Sequence, residues 1–116
     1  MRDFRKLKVW EKAHQLTLEV YKASKKMPGF ELYGLTAQMR RAAVSISANI
    51  AEGYGRSGDP EFSRFLRIAQ GSSSELSYHL LLCSDLGYLD RGLADRLAEL
   101  VDEVQRMLAA LVRRLQ

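Results

Sequence analysis

Apolar residues recur at helical spacing in four separate stretches of this chain. In the first, Val9, Ala13, Leu16, Val20, Ala23 and Met27 alternate steps of four and three, which sets them on one stripe of a helix over about 8–27. Pro28-Gly29 ends it, because proline disfavours helical geometry in the residue before it. Lys22, Lys25 and Lys26 fall in the last turns, where cations complement the helix dipole. The second stretch, 35–56, carries Leu35, Met39, Ala42, Ile46, Asn49 and Gly53 on one stripe, widened by Ala43 and Ile50. Beside it runs a second line of Ala37, Val44, Ala48 and Ala51. One core does not easily bury both lines, so the second is expected at a contact between copies of the chain.

The third stretch opens at Asp59-Pro60, a good N-cap followed by a favoured first helical residue, and is expected over 59–86. Phe62, Leu66, Ala69, Ser73, Leu76, Leu80 and Cys83 form its seam, and Gly87 suits the position just past its end. Gly71-Ser72-Ser73-Ser74 are four poor helix formers in its middle. Either the helix breaks there or small residues permit close packing. The seam stays in phase across the gap, which favours the second. The fourth stretch, 90–115, starts at the cap candidate Asp90 and repeats Leu93, Leu97, Leu100, Val104, Met107 and Leu111. No strand-like alternation occurs. Short connections favour antiparallel neighbours, so the expected fold is all-α: an antiparallel up-down-up-down four-helix bundle forming a single domain over 1–116.

Composition changes this picture little, and charge changes it more. At 116 residues and 47% hydrophobic, the chain has material for one core. No apolar run approaches the ~20 residues of a membrane span, and no signal-peptide pattern follows the charged N-terminus. Together with the single cysteine, Cys83, this points to the cytoplasm. The net charge is +4, and residues 1–26 hold eight Lys or Arg against three Asp or Glu. A basic segment of this kind attracts nucleic acid or another acidic partner, or is simply a solvated lysine-rich face.

Catalytic chemistry is scarce. His79 and Cys83, four apart, share a helix face and read as a core or interface pair, since a structural zinc site usually wants four ligands. Glu11-Lys12-Ala13-His14 is a Glu-x-x-His motif, but residue 76 is Leu, so His79 supplies no second copy for a di-iron bundle. Gly53-Tyr54-Gly55-Arg56-Ser57-Gly58 follows a helix rather than a strand and reads as a terminator and loop, not a phosphate cradle. No nucleophile–base–orienter set can be assembled. The chain is therefore expected to be no enzyme and to fold without cofactor or metal.

Other residues carry structural expectations. Asn49 is expected as a buried amide that fixes helix register. Trp10 is expected as a core anchor. Arg41 lies three turns from Glu52 on one face, either as an ion pair or as a surface arginine. The nucleic-acid contact candidates are Lys6, Lys8, Lys12, Arg40, Arg41 and Arg56. Neither an aromatic platform of the single-strand-binding kind nor a groove-reading motif is evident, so any binding is expected to be sequence-independent.

One run is distinctive: Tyr33-Gly34-Leu35-Thr36-Ala37-Gln38-Met39-Arg40-Arg41-Ala42-Ala43-Val44-Ser45-Ile46, followed by Asn49-Ile50-Ala51-Glu52-Gly53. With Val9-Trp10, Arg64-Phe65-Leu66, Gly71-Ser72, Glu75-Leu76 and Leu86-Gly87-Tyr88, it resembles the four-helix-bundle family named after the protein encoded by intervening sequences in bacterial 23S rRNA genes. The resemblance covers about residues 4–115; Ser47 stands where the family often has proline. It implies a homopentamer. It also implies kinship with the accessory protein of diversity-generating retroelements, a basic pentamer that binds nucleic acid and a reverse transcriptase. The expectation is an oligomeric accessory protein whose partners are its own copies, RNA or DNA, and a nucleic-acid enzyme such as a reverse transcriptase. The competing class is a protein-interaction scaffold without nucleic-acid binding.

Overall fold

The computed structural model describes residues 2–56 and 58–116. Ser57 of the glycine-rich run lies outside them. Four helices account for most of the chain: α1 (Lys8–Ser24), α2 (Leu35–Gly55), α3 (Asp59–Asp85) and α4 (Arg91–Arg114). No strand is present among the described residues. Short 3-10 turns at Phe4–Lys6 and Gly29–Glu31, which the apolar spacing does not reveal, precede α1 and α2. At 1.5 Å per residue α3 spans about 40 Å, close to the 43 Å long axis of the molecule.

Successive helices run in opposite directions. Thr17 of α1 meets Ser47 while Ser24 meets Arg40, and α1 meets α4 through Lys12–Glu103 and Glu19–Arg96. The seams expected on α1 and α3 are buried throughout. On α4 the phase differs. Ala94, Leu97, Val101, Val104, Leu108 and Val112 are buried, whereas Leu93, Leu100, Met107 and Leu111 pack only partly against the core. α4 carries two adjacent apolar lines, and the expected repeat followed the flanking one at four of its six positions.

The punctuation holds at the end of α3 and the start of α4 and shifts elsewhere. Asp90 accepts hydrogen bonds from the backbone of Gly92 and Leu93. Gly87, at φ 76°, lets Tyr88 N–H reach the Cys83 carbonyl at 2.9 Å and closes α3. Gly58 rather than Asp59 occupies the N-cap of α3; Asp59 is its first residue and makes no side-chain cap bond. α1 stops at Ser24, and Lys25–Met27 form a turn. The start of α2 is capped from a distance: the Glu31 carboxylate accepts the Leu35 N–H at 3.0 Å.

α3 is continuous through Gly71. Ser72 Oγ meets Ser45 Oγ of α2 at 2.7 Å, and Ser73 Oγ donates to the Gln70 carbonyl at 2.7 Å. A further close α2–α3 approach lies at Gly53, where an added Cβ would come 2.5 Å from the Phe65 Cβ. Gly53→Ala should therefore destabilise the fold by about 2 kcal/mol, as overpacking does. Gly71→Ala, whose Cβ would meet nothing within 4 Å, should stabilise it by about 0.5–1 kcal/mol. Urea unfolding of the two variants checks both signs.

Candidate functional site

The buried polar groups lie between helices. Thr17 Oγ1 donates to the Ala13 carbonyl at 2.8 Å and sits 2.8 Å from Ser47 Oγ, joining α1 to α2 through side chains. Ser47 is thus a hydroxyl partner that proline would not supply. Asn49 is only half-buried. Its amide donates to the carbonyl and hydroxyl of Ser45 on its own helix, so the buried polar bridge is Thr17–Ser47 instead. Cys83 lies in the core with its Sγ 3.3 Å from Met39 Sδ, and burial raises its thiol to about 11. His79, on the same helix, is 3% exposed; its Nε2 is 3.4 Å from Glu75, and Nδ1 has no partner among the described residues. Glu11 and His14 are exposed. No three His, Cys, Asp or Glu side chains converge among the described residues, and no helix there is long and apolar enough to cross a membrane.

The six cationic candidates separate. Arg40 donates to Ser24 Oγ at 2.8 Å and lies over the Tyr21 ring, so it joins α2 to α1. Lys12 pairs with Glu103 at 3.3 Å. Arg56, not Arg41, pairs with Glu52, at 2.7 Å, because four residues along a helix are neighbours and eleven are too far to reach. Arg41 is exposed.

Only Lys6 and Lys8 come together, and they do so with two residues the charge count concealed. Arg113 and Arg114, in the last turns of α4, face them across a groove of about 710 Å³ floored by Leu7, Val9, Met107, Ala110 and Leu111. No carboxylate lines this groove. Residues 87–116 balance in charge, yet their acids come early and Arg113-Arg114 last. Antiparallel packing sets that basic end beside the basic start of α1. Midway along the α1–α4 face the sign reverses, where Glu19, Glu99, Asp102 and Glu103 line a second groove with Arg96 and Arg106.

Two further features lie on the surface of α1 and α2. Along α2, Ala37 and Ala51 are part-exposed, while Ala48 and Val44 are exposed, Val44 to 42%. Leu18 and Tyr21 of α1 are also exposed. At one end of the line Ala48, Ala51 and Gly55 floor a shallow pocket of about 510 Å³ rimmed by Arg2, Phe4 and Arg56. Trp10 is half-buried rather than a full core anchor, and an aromatic stack exists after all. The Phe4 ring meets Trp10 edge-on at 4.9 Å, and Trp10 stacks on His14 at 4.7 Å with planes 9° apart. The His pairing was hidden in the motif Trp10-x-x-x-His14, whose i,i+4 spacing puts both rings on one helix face.

The family model of the 23S rRNA-intervening sequence protein matches residues 5–110. The chain belongs to that family. Among solved structures it is similar to a protein of unknown function from the S23 ribosomal protein family of Bacteroides thetaiotaomicron VPI-5482. The TM-score is 0.84 at 22% identity, over 90% of this chain and 97% of that one, which shows a shared fold. Comparison with curated proteins found no match.

In this member of the 23S rRNA-intervening sequence family, the buried His79 gives a pH dependence. Burial holds its imidazole below the ordinary 6.5, with Glu75 opposing more weakly. The unfolded chain therefore binds this proton first as the pH falls. The stability it contributes is complete above pH 6.5 and is lost as the pH drops through the lower folded value. The unfolding free energy of the wild type should decline below that pH, and His79→Gln should flatten the decline. Equal acid slopes in urea titrations of the two proteins would contradict this.

Proposed function

We propose that the chain is a non-enzymatic, self-assembling accessory protein that holds nucleic acid, RNA or DNA, by its phosphates. The supporting observation is the groove where Lys6, Lys8, Arg113 and Arg114 meet without a lining carboxylate. Four cations at the neighbouring ends of α1 and α4 form an electrostatic footprint that phosphate oxygens neutralise and water alone does not. Assembly strengthens the effect: five copies, the number the family resemblance implies, bring together a formal +20 from a chain of +4. The exposed line Ala37, Val44, Ala48 and Ala51 is the surface on which copies would meet, since small side chains let a second backbone approach closely. A nucleic-acid enzyme such as a reverse transcriptase, named by kinship alone, is the corresponding protein partner. The scaffold reading without nucleic acid is favoured by a different feature, the exposed Phe30 (70%) and Tyr33 (93%) at the other end of the bundle.

Binding should be largely sequence-independent and should weaken by orders of magnitude as salt rises from roughly 50 to 200 mM, if several phosphates are engaged per oligomer. Replacing Lys6, Lys8, Arg113 and Arg114 by Glu should abolish it, whereas Lys25→Glu/Lys26→Glu should leave it nearly unchanged. Fluorescence anisotropy with labelled RNA and DNA measures both. Failure of the wild type to retain either at low salt removes the nucleic-acid reading and leaves the scaffold. For assembly, Ala48→Arg should lower the native mass with helicity intact, and a wild type that is monomeric at micromolar concentration rules assembly out.

A further inference from the structure

We propose that the Phe4–Trp10–His14 stack is a base-stacking platform that makes this protein prefer single-stranded over duplex nucleic acid; the inference rests on the phosphate-binding reading above. Three aromatic rings follow one another outward from the N-terminal segment. Phe4 closes one side of Trp10 at 4.9 Å, and the imidazole of His14 lies parallel to it on another at 4.7 Å. His14 is exposed, and the next position along the same helix line, Leu18, is 57% exposed.

The stack is anchored rather than loose. Arg2 donates from Nε to the Tyr54 carbonyl at 2.9 Å and lies 4.2 Å over the Tyr54 ring, tying the N-terminal segment to α2. Arg5 is fixed by Asp3 at 2.9 Å with its guanidinium 6.0 Å from the Phe4 ring. His14 is thus the exposed outer ring of a part-buried aromatic stack, at the same end of the bundle as Lys6 and Lys8. Sequence-tolerant single-strand binding uses this pairing: charge holds the backbone while a ring face receives an unpaired base. A duplex keeps its bases stacked inside and offers the stack nothing, so the platform discriminates strandedness and the basic groove does not.

The test uses a single-stranded oligoadenylate RNA of about 12 nucleotides and an RNA duplex of equal length. The chain has two histidines, one exposed and one buried, so their ring resonances can be followed separately. On adding the single strand, the His14 ring protons should shift upfield from the ring current of a stacked adenine, while those of His79 stay in place. His14→Ala should weaken single-strand binding about tenfold, within the range of base–aromatic stacking, and leave duplex binding unchanged. His14→Tyr should restore it. An unshifted His14 resonance with equal affinities of wild type and His14→Ala overturns the platform while leaving phosphate binding intact. Absence of binding to either oligonucleotide at low salt removes the reading beneath it as well.

Discussion

Close contact between α2 and α3 sets the geometry on which the rest of the bundle is arranged. At Gly53 the helices approach until only a hydrogen fits against Phe65, and at Ser45–Ser72 two hydroxyls meet directly. Because α3 is the longest helix, fixing α2 against it fixes the frame that α1 and α4 complete. α1 is registered on that frame by Thr17–Ser47 and Arg40–Ser24 rather than by apolar packing alone. A polar contact inside a core is costly unless both partners are satisfied, so these pairs favour one register over a slip by a turn. The mid-helix serines that look like weakness in isolation are what lets the helices come near.

The four helices were legible because each apolar stripe keeps helical phase, and two of their ends because Asp90 and Gly87 act locally; α1 instead stops at Ser24, before Pro28 is reached. What was illegible required two elements at once. Ser47 gave no sign of meeting Thr17, whereas Asn49, the more conspicuous polar residue, satisfies itself on Ser45. The α4 seam was misphased because Leu100 and Val101 are both apolar and only the neighbouring helices decide which is enclosed. Asp59 reads as a cap from its chemistry, yet the chain turns one residue earlier, at a glycine with φ 83°.

The cationic groove shows the same limit for function. Counting charge along the chain places the excess in the first quarter, and four of the six residues chosen there and on α2 prove to be paired, engaged in packing or isolated. Arg113 and Arg114 escape the count because the acids earlier in α4 cancel them. Topology returns them to Lys6 and Lys8, and it likewise leaves the acidic groove far enough along the same face to form a separate patch. Net charge is a property of the composition, but a field is a property of which helix ends are neighbours.

Cys83 carries a consequence of a different kind. It is the only thiol in the chain, fully enclosed beside Met39, and its ionisation is pushed up to about 11. Reagents that attack thiolates meet neither an accessible sulfur nor an ionised one near neutral pH. Its alkylation must wait for α3 to part from its neighbours, so the rate of labelling measures how often the bundle breathes. The protein thereby contains its own clock for opening, built from a single sulfur atom at the centre of its packing.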